Sequence, residues 1–199
     1  MNIDLKRRIA REFSEKFKVE SILVFSPGRI NIIGEHTDYN DGFVFPAAVD
    51  KGIIAAISKS SHTESVTIAS DLNEKFEFSV EGVKPLIGGN WRNYILGVVG
   101  EIQKKGLQVG NFNLVFGGDI PDGSGMSSSA ALENSVVFGL NELFKLDLTK
   151  SELIFISQKA EHNYVGVNCG IMDQYASMFG IKDHALLLDC RTTVATPFL

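Results

Sequence analysis

The sequence predicts a globular domain that combines helices with strands, for three reasons. Hydrophobic residues make up 44% of the 199 residues and charged residues 22%, which is typical of a folded chain and not of a disordered one. Apolar residues recur with helical spacing at the start of the chain and again in its second half. Between these segments, residues 21–80 contain short β-rich runs separated by polar breaks. The length suits one large domain with a substantial core.

The first segment has the pattern of an amphipathic helix. Its apolar stripe recurs every four residues and consists of Leu5, Ile9, Phe13 and Phe17. We predict Asp4, just before the stripe, as the N-cap. The basic side chains of the segment lie off the stripe, which favours a solvated helix face over a nucleic-acid-binding arm. The net charge of −5 also argues against a nucleic-acid partner.

The remaining elements follow from local patterns. Strands are predicted at residues 21–25, 43–45, 53–57, 66–68, 76–80, 113–116 and 185–188, and the first of them is predicted to end at Pro27-Gly28. Helical spacing predicts helices over 91–102 and 132–143, with a loop rich in glycine and serine over 117–129 between them. Thr149 and Glu152 form a predicted capping box that opens a further helix through Ala160.

Several classes of protein are disfavoured by composition. The two cysteines, Cys169 and Cys190, cannot form a disulfide framework or a multi-cysteine zinc site, so we expect a reduced, cytoplasmic setting. The N-terminal segment is charged before any long apolar run, which is unlike a secretory signal. No stretch reaches about 18 consecutive apolar residues, so we expect no transmembrane span and no membrane partner.

The glycine- and serine-rich loop is the first candidate for chemistry. Residues 121–131 have the sequence PDGSGMSSSAA. Its glycines allow close approach of the backbone to a ligand, and the start of the following helix attracts anions. The loop is not a Walker motif, because no Gly-Lys-[Ser/Thr] follows. By itself the segment predicts either a phosphate-binding cradle or a flexible loop with a serine-capped helix.

A second candidate lies at residues 28–40, with the sequence GRINIIGEHTDYN. Glu35, His36 and Asp38 fall within four residues, beside an apolar strand. Such carboxylates and an imidazole can exchange several hydrogen bonds with a polyol. The spacing matches no recognised zinc motif, so a metal site is disfavoured. A purely structural polar turn is the remaining alternative.

A third candidate is residues 161–174, with the sequence EHNYVGVNCGIMDQ. Glu161 lies near the end of a predicted helix, and Asp173 lies before a new one. Taken locally, Asp173 is either a functional carboxylate or an N-cap, and its position favours the cap. Cys169 lacks an identifiable histidine partner and is a weak candidate nucleophile.

In order along the chain, these segments resemble the galactokinase family of the GHMP small-molecule kinases. GRINIIGEHTDYNDG is similar to the family's N-terminal motif, and PDGSGMSSSAA is similar to its nucleotide-phosphate loop, with Met126 in place of the usual leucine. EHNYVGVNCGIMDQ is similar to the family's acidic catalytic segment, and residues 91–94 with Gly97 resemble its segment beside adenine. The resemblance runs from about residue 20 to the end. The first motif is specific for galactokinases, whereas the second alone indicates only a GHMP kinase.

The resemblance implies an α+β fold. Residues 1–199 would form a GHMP-kinase N-terminal domain, in which helices pack on a ribosomal-protein-like mixed sheet. Within it, a sugar-binding segment would span about residues 20–46 and the nucleotide-phosphate loop about residues 119–131. The chain is roughly half the length of a family member, so the C-terminal domain, with a third glycine-rich motif and a sugar-contacting tyrosine, would be largely missing.

The resemblance also implies an activity. A galactokinase transfers the γ-phosphate of ATP to the C1 hydroxyl of α-D-galactose with the help of Mg²⁺. The implied partners are therefore galactose and ATP, and the implied state is a monomer. Because half of a family member is missing, we expect weak or no activity from the 199 residues alone. The alternatives are a non-catalytic sensor of sugar and nucleotide, or a kinase for a related sugar such as N-acetylgalactosamine.

Site residues are implied at the positions that match the family's motifs. Asp173 would be the catalytic base, and Arg29 would keep it ionised and stabilise developing charge. The residues implied at the sugar, besides Asp173, are Glu35, His36, Thr37, Asp38 and Gly170. Those implied at the phosphates are Gly123, Ser124, Gly125, Met126, Ser127, Ser128 and Ser129. Mg²⁺ would bind to Ser129 and Glu161, and the purine pocket would include Trp91, Tyr94 and, on a looser match, Ser70.

Overall fold

The computed structural model describes all of residues 1–199, as five α-helices and eight strands. The helices are α1 (Ile3–Phe17), α2 (Trp91–Lys104), α3 (Ser128–Phe144), α4 (Lys150–Ala160) and α5 (Met172–Phe179). The strands are β1 (Ile22–Asn31), β2 (Phe43–Val44), β3 (Pro46–Lys59), β4 (Ser65–Ala69), β5 (Glu74–Phe78), β6 (Phe112–Gly118), β7 (Ala185–Asp189) and β8 (Val194–Phe198).

The strands form two sheets. Five of them pair in the order β1-β3-β6-β4-β5, where β4 and β6 are parallel and the other neighbours antiparallel. The smaller sheet is antiparallel, in the order β2-β7-β8. The mixed sheet with helices packed on it is an α+β architecture, as the sequence resemblance implied.

The core lies on both faces of the larger sheet because strand side chains alternate between faces. Ala55 and Ile57 of β3 belong to the main core under α2, α3 and α4, whereas Ile54 points to the opposite face. There it meets the stripe of α1, in which Leu5, Ile9 and Phe13 are buried. The predicted amphipathic helix is therefore confirmed, and its apolar face packs on the sheet.

The predicted cap of α1 was wrong. The helix begins two residues before the apolar stripe, and Asn2 is its N-cap, because its side-chain oxygen accepts hydrogen bonds from the amides of Asp4 (3.1 Å) and Leu5 (3.2 Å). Asp4 lies in the first turn instead, where a negative charge also favours the helix.

The predicted end of β1 was also wrong. The strand continues through Pro27 and Gly28 to Asn31, with a register shift between Pro27 and Arg29. β1 is an edge strand of the larger sheet, where a proline at a bulge is tolerated because it removes no essential ladder hydrogen bond. The extension places Arg29 near the C-terminal end of β1.

Two further local predictions have opposite outcomes. The capping box of α4 is confirmed: the Thr149 hydroxyl accepts from the Glu152 amide, and the Glu152 carboxylate accepts from the Thr149 amide. The local preference for Asp173 as a helix cap was wrong. Ile171 occupies the cap of α5, and Asp173 lies in the first turn with its side chain bonded elsewhere. None of the helices combines the length and apolar character needed to cross a membrane.

Candidate active site

An ion pair between β1 and α5 lies at the centre of the candidate site. One oxygen of Asp173, Oδ1, lies 2.6 Å from both Nε and Nη2 of Arg29. The other oxygen, Oδ2, accepts a hydrogen bond from the hydroxyl of Ser127. The side chains of Arg29 and Asp173 are only 12% and 24% exposed, so water screens the pair less than it would on an open surface.

The same arginine holds the glycine- and serine-rich loop against β1. Arg29 Nη1 donates to the carbonyl of Gly125 (2.5 Å), and the Arg29 amide donates to the carbonyl of Met126 (3.1 Å). Gly28 permits this approach, because a Cβ there would lie 2.6 Å from the Met126 carbonyl oxygen. Gly125 has a φ of +68°, a conformation that glycine adopts without strain.

The N-terminus of α3 is left without a side-chain cap. Ser127 occupies the cap position with a φ of +54°, but its hydroxyl bonds to Asp173 and not to the helix. The first amides of this 17-residue helix therefore lack a side-chain acceptor. Free amides and the positive end of the helix dipole together favour an anion at this position. Of the two local alternatives for this loop, the serine-capped helix is the one that the structure lacks.

Two cavities of about 520 Å³ each flank this helix end. Half of the lining of the apolar cavity is hydrophobic and includes Ile53, Leu72, Trp91, Tyr94, Phe116 and Leu132, and the rest includes Asp71, Asp119 and Asp122 together with Ser128 and Ser129 of α3. The polar cavity is lined by Arg29, Glu35, His36, Asp38, Gly170 and Asp173, together with Ser124, Gly125 and Met126 of the loop. Most residues implied at the sugar line the polar cavity, and Trp91, Tyr94, Ser128 and Ser129 line the apolar one, but Ser124, Gly125 and Met126, which are implied at the phosphates, line the polar cavity.

Within the polar cavity, Asp38 and Gly170 are closely packed. A Cβ at Gly170 would overlap the Asp38 carboxylate, so only glycine fits there. Burial raises the pKa of Asp38, the negative charge of Asp173 adds to this increase, and the Tyr39 amide and Arg29 act against it. The neighbouring carboxylate Glu35 is exposed and accepts from the Asn31 amide group at 3.1 Å.

Five of the implied residues line neither cavity: Ser127, which bonds to Asp173, Glu161, which is buried, and Thr37, Gly123 and Ser70. The Thr37 hydroxyl lies 2.7 Å from the carbonyls of Gly34 and Phe43, so it stabilises the turn and does not line the polar cavity. Gly123 has a φ of +67° and lines neither cavity, and a Cβ at this position would have no neighbour within 4 Å. The Ser70 hydroxyl is bonded to α1, and the next two residues, not Ser70 itself, line the apolar cavity.

A buried acidic cluster lies beneath the loop. Gln174 Nε2 donates to Glu161 (2.9 Å) and lies 3.3 Å from Glu133, and the Cys169 thiol lies 3.3 Å from Glu161. Burial raises the pKa of Glu161, and Asp173 raises it further, whereas Cys169, Ser129 and Gln174 lower it. Burial also raises the pKa of Glu133 well above its ordinary value, and the negative charge of Glu161 raises it further.

Sequence analysis missed Glu133 and Gln174. One signal was available for Glu133, since it lies one helical turn after Ser129 and is a charged residue among the apolar positions of α3. No comparable signal pointed to Gln174, whose role depends on the packing of α5 against α3 and α4.

The acidic cluster suits a small divalent cation that also binds phosphate. Glu133 Oε1 is buried without a hydrogen-bond partner, and a second buried carboxylate, Glu161, lies nearby. No group of three or more His, Cys, Asp or Glu side chains is arranged to hold a metal by itself. Mg²⁺ is ordinarily held by one or two carboxylates together with substrate phosphates, so Ser129 and Glu161 fit as its protein ligands.

Comparison with known proteins places the chain in a class. A family model described as the GHMP kinases N terminal domain matches residues 93–181, and one described as the galactokinase galactose-binding signature matches residues 11–59. Together they match more than half of the chain. Mevalonate kinase from Methanococcus jannaschii shares the fold, with a TM-score of 0.75 at 15% identity over 90% of this chain and 56% of that one. The chain has the α+β fold of the GHMP kinase N-terminal domain.

Relatives with higher sequence identity identify the family within this class. A galactokinase from Clostridium tetani is 46% identical over 171 residues, which cover 84% of this chain and 43% of the relative. The crystal structure of Lactococcus lactis galactokinase complexed with galactose matches with a TM-score of 0.90 and 37% identity, over 96% of this chain and 51% of that one. The chain belongs to the galactokinase family, and it spans about half the length of these relatives.

Proposed function

We propose that this chain forms the sugar- and nucleotide-binding half of a kinase that transfers the γ-phosphoryl group of ATP to the C1 hydroxyl of α-D-galactose. One observation carries the proposal. The open N-terminus of α3 lies between a polar cavity and an apolar cavity, with the Arg29–Asp173 pair beside it. Phosphoryl transfer requires mainly the positioning of two substrates and the neutralisation of charge.

The polar cavity is the proposed sugar site. Glu35, His36, Asp38 and the backbone at Gly170 supply acceptors and donors for the hydroxyls of a hexose. The Lactococcus lactis relative, which is complexed with galactose, supports this choice of substrate. Thr37 contributes by holding the turn that presents these side chains.

Asp173 is the proposed general base. Its two oxygens offer about four acceptor positions, of which Arg29 and Ser127 occupy only part, so a sugar hydroxyl has room to donate to it. Proton removal makes the C1 oxygen a better nucleophile as the bond to phosphorus forms. Arg29 holds the carboxylate in place and is also positioned to stabilise charge on the transferring group.

The apolar cavity is the proposed nucleotide site. Trp91 and Tyr94 provide aromatic surfaces for a purine, and burial raises the pKa of Tyr94 to about 12, so it stays a neutral phenol at physiological pH. The phosphates would lie on the loop at residues 123–129 and on the free amides of α3. When bound through Ser129 and Glu161, Mg²⁺ would neutralise phosphate charge.

The location and state of the protein are proposals as well. Both cysteines are free, which is consistent with a reducing compartment such as the cytoplasm. We further propose a monomer. Since the chain spans about half the length of its relatives, we expect weak or no turnover from the isolated 199 residues.

Calorimetry on the chain tests the proposal directly. Galactose and Mg·ATP are titrated separately, and each is expected to bind at one site. Asp38→Ala is expected to weaken galactose binding and leave Mg·ATP binding intact, with the exposed Asp183→Ala as its control. Failure of both ligands to bind would contradict the proposal. Tighter binding of N-acetylgalactosamine than of galactose would instead assign the related sugar as substrate.

A further inference from the structure

The N-terminal helix α1 contacts a wall of the apolar cavity, although the helix itself lines no part of it. We propose that Arg8 is a positioning residue for the nucleotide: it holds the turn at Ser70–Leu72 in place as part of that wall. The inference rests on the proposed function of the apolar cavity as the nucleotide site. It assigns the loosely matched Ser70 a structural place in that site.

Two side chains of α1 bind the turn. Arg8 Nη1 donates to the Ser70 hydroxyl (3.0 Å), and that hydroxyl donates to Glu12 (2.5 Å). Arg8 Nη2 donates to Asp71 Oδ1 at 2.5 Å, which is a charge-assisted hydrogen bond. Both hydrogen-bonding directions of the Ser70 hydroxyl are thus satisfied by the helix.

Asp71 connects the turn to a second segment of the cavity wall. Its second oxygen, Oδ2, accepts from the amide of Gly118 at 2.7 Å, at the end of β6. Asp71, Leu72 and Gly118 all line the apolar cavity. Arg8 therefore fixes a carboxylate that joins two separate segments of the cavity wall.

Few other contacts hold the turn. Leu72 is 58% exposed although it lines the cavity, and within the turn one backbone bond joins the Asn73 amide to the Ser70 carbonyl at 3.3 Å. The junction is also tightly packed, because a Cβ at Gly117 would lie 2.8 Å from Ile9 and 3.0 Å from Asp71 Oδ2. Loss of the Arg8 side chain would leave the turn bonded to its neighbours only through Ser70 to Glu12 and through Asp71 to the Gly118 amide, and it would remove the direct bond between α1 and Asp71.

The same helix provides matched controls. Arg7 pairs with Asp4 and Arg11 pairs with Glu15, and these ion pairs are exposed and internal to α1. Arg7 is 78% exposed and Arg11 is 74% exposed, whereas Arg8 is 40% exposed and bonded across to another element. Truncation of Arg7 removes a positive charge from the helix without touching the cavity wall.

The experiment uses the fluorescence of Trp91, the single tryptophan of the chain and a residue of the cavity lining. Arg8→Ala, Arg8→Lys and Arg7→Ala are titrated with Mg·ATP, and galactose affinity is measured by calorimetry. Arg8→Ala is expected to bind Mg·ATP about tenfold more weakly, as is typical for the loss of a charge-assisted bond, and Arg8→Lys is expected to recover part of the affinity. Arg7→Ala should bind both ligands as the unaltered chain does, and galactose affinity should not change in any variant.

Equal Mg·ATP affinity in Arg8→Ala and Arg7→Ala would overturn the inference. A parallel loss of galactose affinity and thermal stability in Arg8→Ala would also overturn it, because the role would then be general. If the unaltered chain binds no Mg·ATP, the proposed function fails, and amide exchange of Gly118 and residues 70–73 decides the remaining question. Faster exchange in Arg8→Ala than in Arg7→Ala would support the role of Arg8 in positioning the turn. Equal exchange in the two variants would contradict that role.

Discussion

The two cavities beside α3 are built in different ways. The polar cavity takes its lining from three short, contiguous segments, at residues 29–39, 124–126 and 168–173, and its side chains are mostly charged or polar. The apolar cavity combines one contiguous run, residues 116–122, with positions on strands and helices of the main core that are distant in sequence, such as Ile53, Trp91 and Leu132. The first therefore depends on local backbone geometry and charge, whereas the second depends on packing.

The difference implies that the two cavities respond to different changes. A substitution in the polar cavity should alter chemistry or sugar binding without loosening the core. Nucleotide binding should instead depend on the position of the wall of the apolar cavity, which the Arg8 variants test. Four further measurements sharpen or contradict this separation.

The largest expected effect is on phosphoryl transfer. Asp173→Asn keeps the shape of the side chain but removes the proposed base, so the turnover that the chain retains should fall by about 10²–10⁴-fold. Formation of labelled galactose 1-phosphate from labelled ATP under single-turnover conditions provides the necessary sensitivity. Trp91 fluorescence should show unchanged Mg·ATP binding. Near-normal turnover in this variant would remove the base assignment.

A smaller effect is expected on sugar binding. In Gly170→Ala the new methyl group would overlap the Asp38 carboxylate and displace it, so galactose affinity should fall by about tenfold or more. Calorimetry measures the affinity, and Val167→Ala, at a neighbouring exposed position, is the control. A fall in Mg·ATP affinity as large as that for galactose would show that the two cavities are not independent.

The acidic cluster between the cavities should make stability depend on pH. Burial raises the pKa of Glu133 and of Glu161 in the folded protein, so the folded state holds protons that the unfolded state has released. The contribution of these two groups to stability is therefore greatest below the ordinary glutamate pKa and is lost as the pH rises through the raised values. Urea unfolding between pH 5 and pH 8 measures the decrease.

Glu133→Gln should make the loss of folding stability with rising pH smaller. The neutral amide removes one buried titrating group, so the variant is expected to gain about 1–3 kcal/mol relative to the unaltered chain at pH 8, the ordinary penalty for a poorly satisfied buried polar group. Glu142→Gln, at a side chain that is 44% exposed, is the matched control on the same helix. An unchanged pH dependence in Glu133→Gln would mean that this residue does not titrate as the geometry implies.

The smallest effect is expected far from both cavities. Thr149→Ala removes the capping box of α4 and should lower the free energy of unfolding by about 1 kcal/mol. Because Thr149 lines neither cavity, the affinities for galactose and Mg·ATP should not change. Urea unfolding is the measurement, and exposed Ser151→Ala is the control. A change in either affinity would show that α4 transmits strain to the site.

Local patterns predicted the elements well where one periodicity dominated. The stripe of α1, the capping box at Thr149 and the strand at residues 66–68 all match the structure, because each depends on neighbours close in sequence. The cap of α1 was misassigned within its own first turn, whereas the end of β1 was decided by contacts distant in sequence. β1 continues past Pro27 because residues 29–31 pair with residues 46–48 of β3, and the Arg29 amide also bonds to Met126, nearly a hundred residues away.

The same distinction applies to the candidate site. The resemblance to galactokinases singled out Arg29 and Asp173 from their motifs, and the structure places them 2.6 Å apart. The supporting residues, Glu133 and Gln174, were not predicted. Their positions depend on how three helices pack, and no short segment of sequence records that packing.

From residue order alone, one can derive a mixed helical and β-rich domain, a glycine- and serine-rich loop before a helix, and two further polar segments, and all three segments resemble those of one kinase family. Folding in three dimensions decides that Ser127 turns to Asp173 and leaves α3 uncapped, and that α1 supports the wall of the apolar cavity through Arg8. The physical reason is that short-range propensity acts through neighbours in the chain, whereas hydrogen bonds and ion pairs between distant segments exist only after the core has brought those segments together.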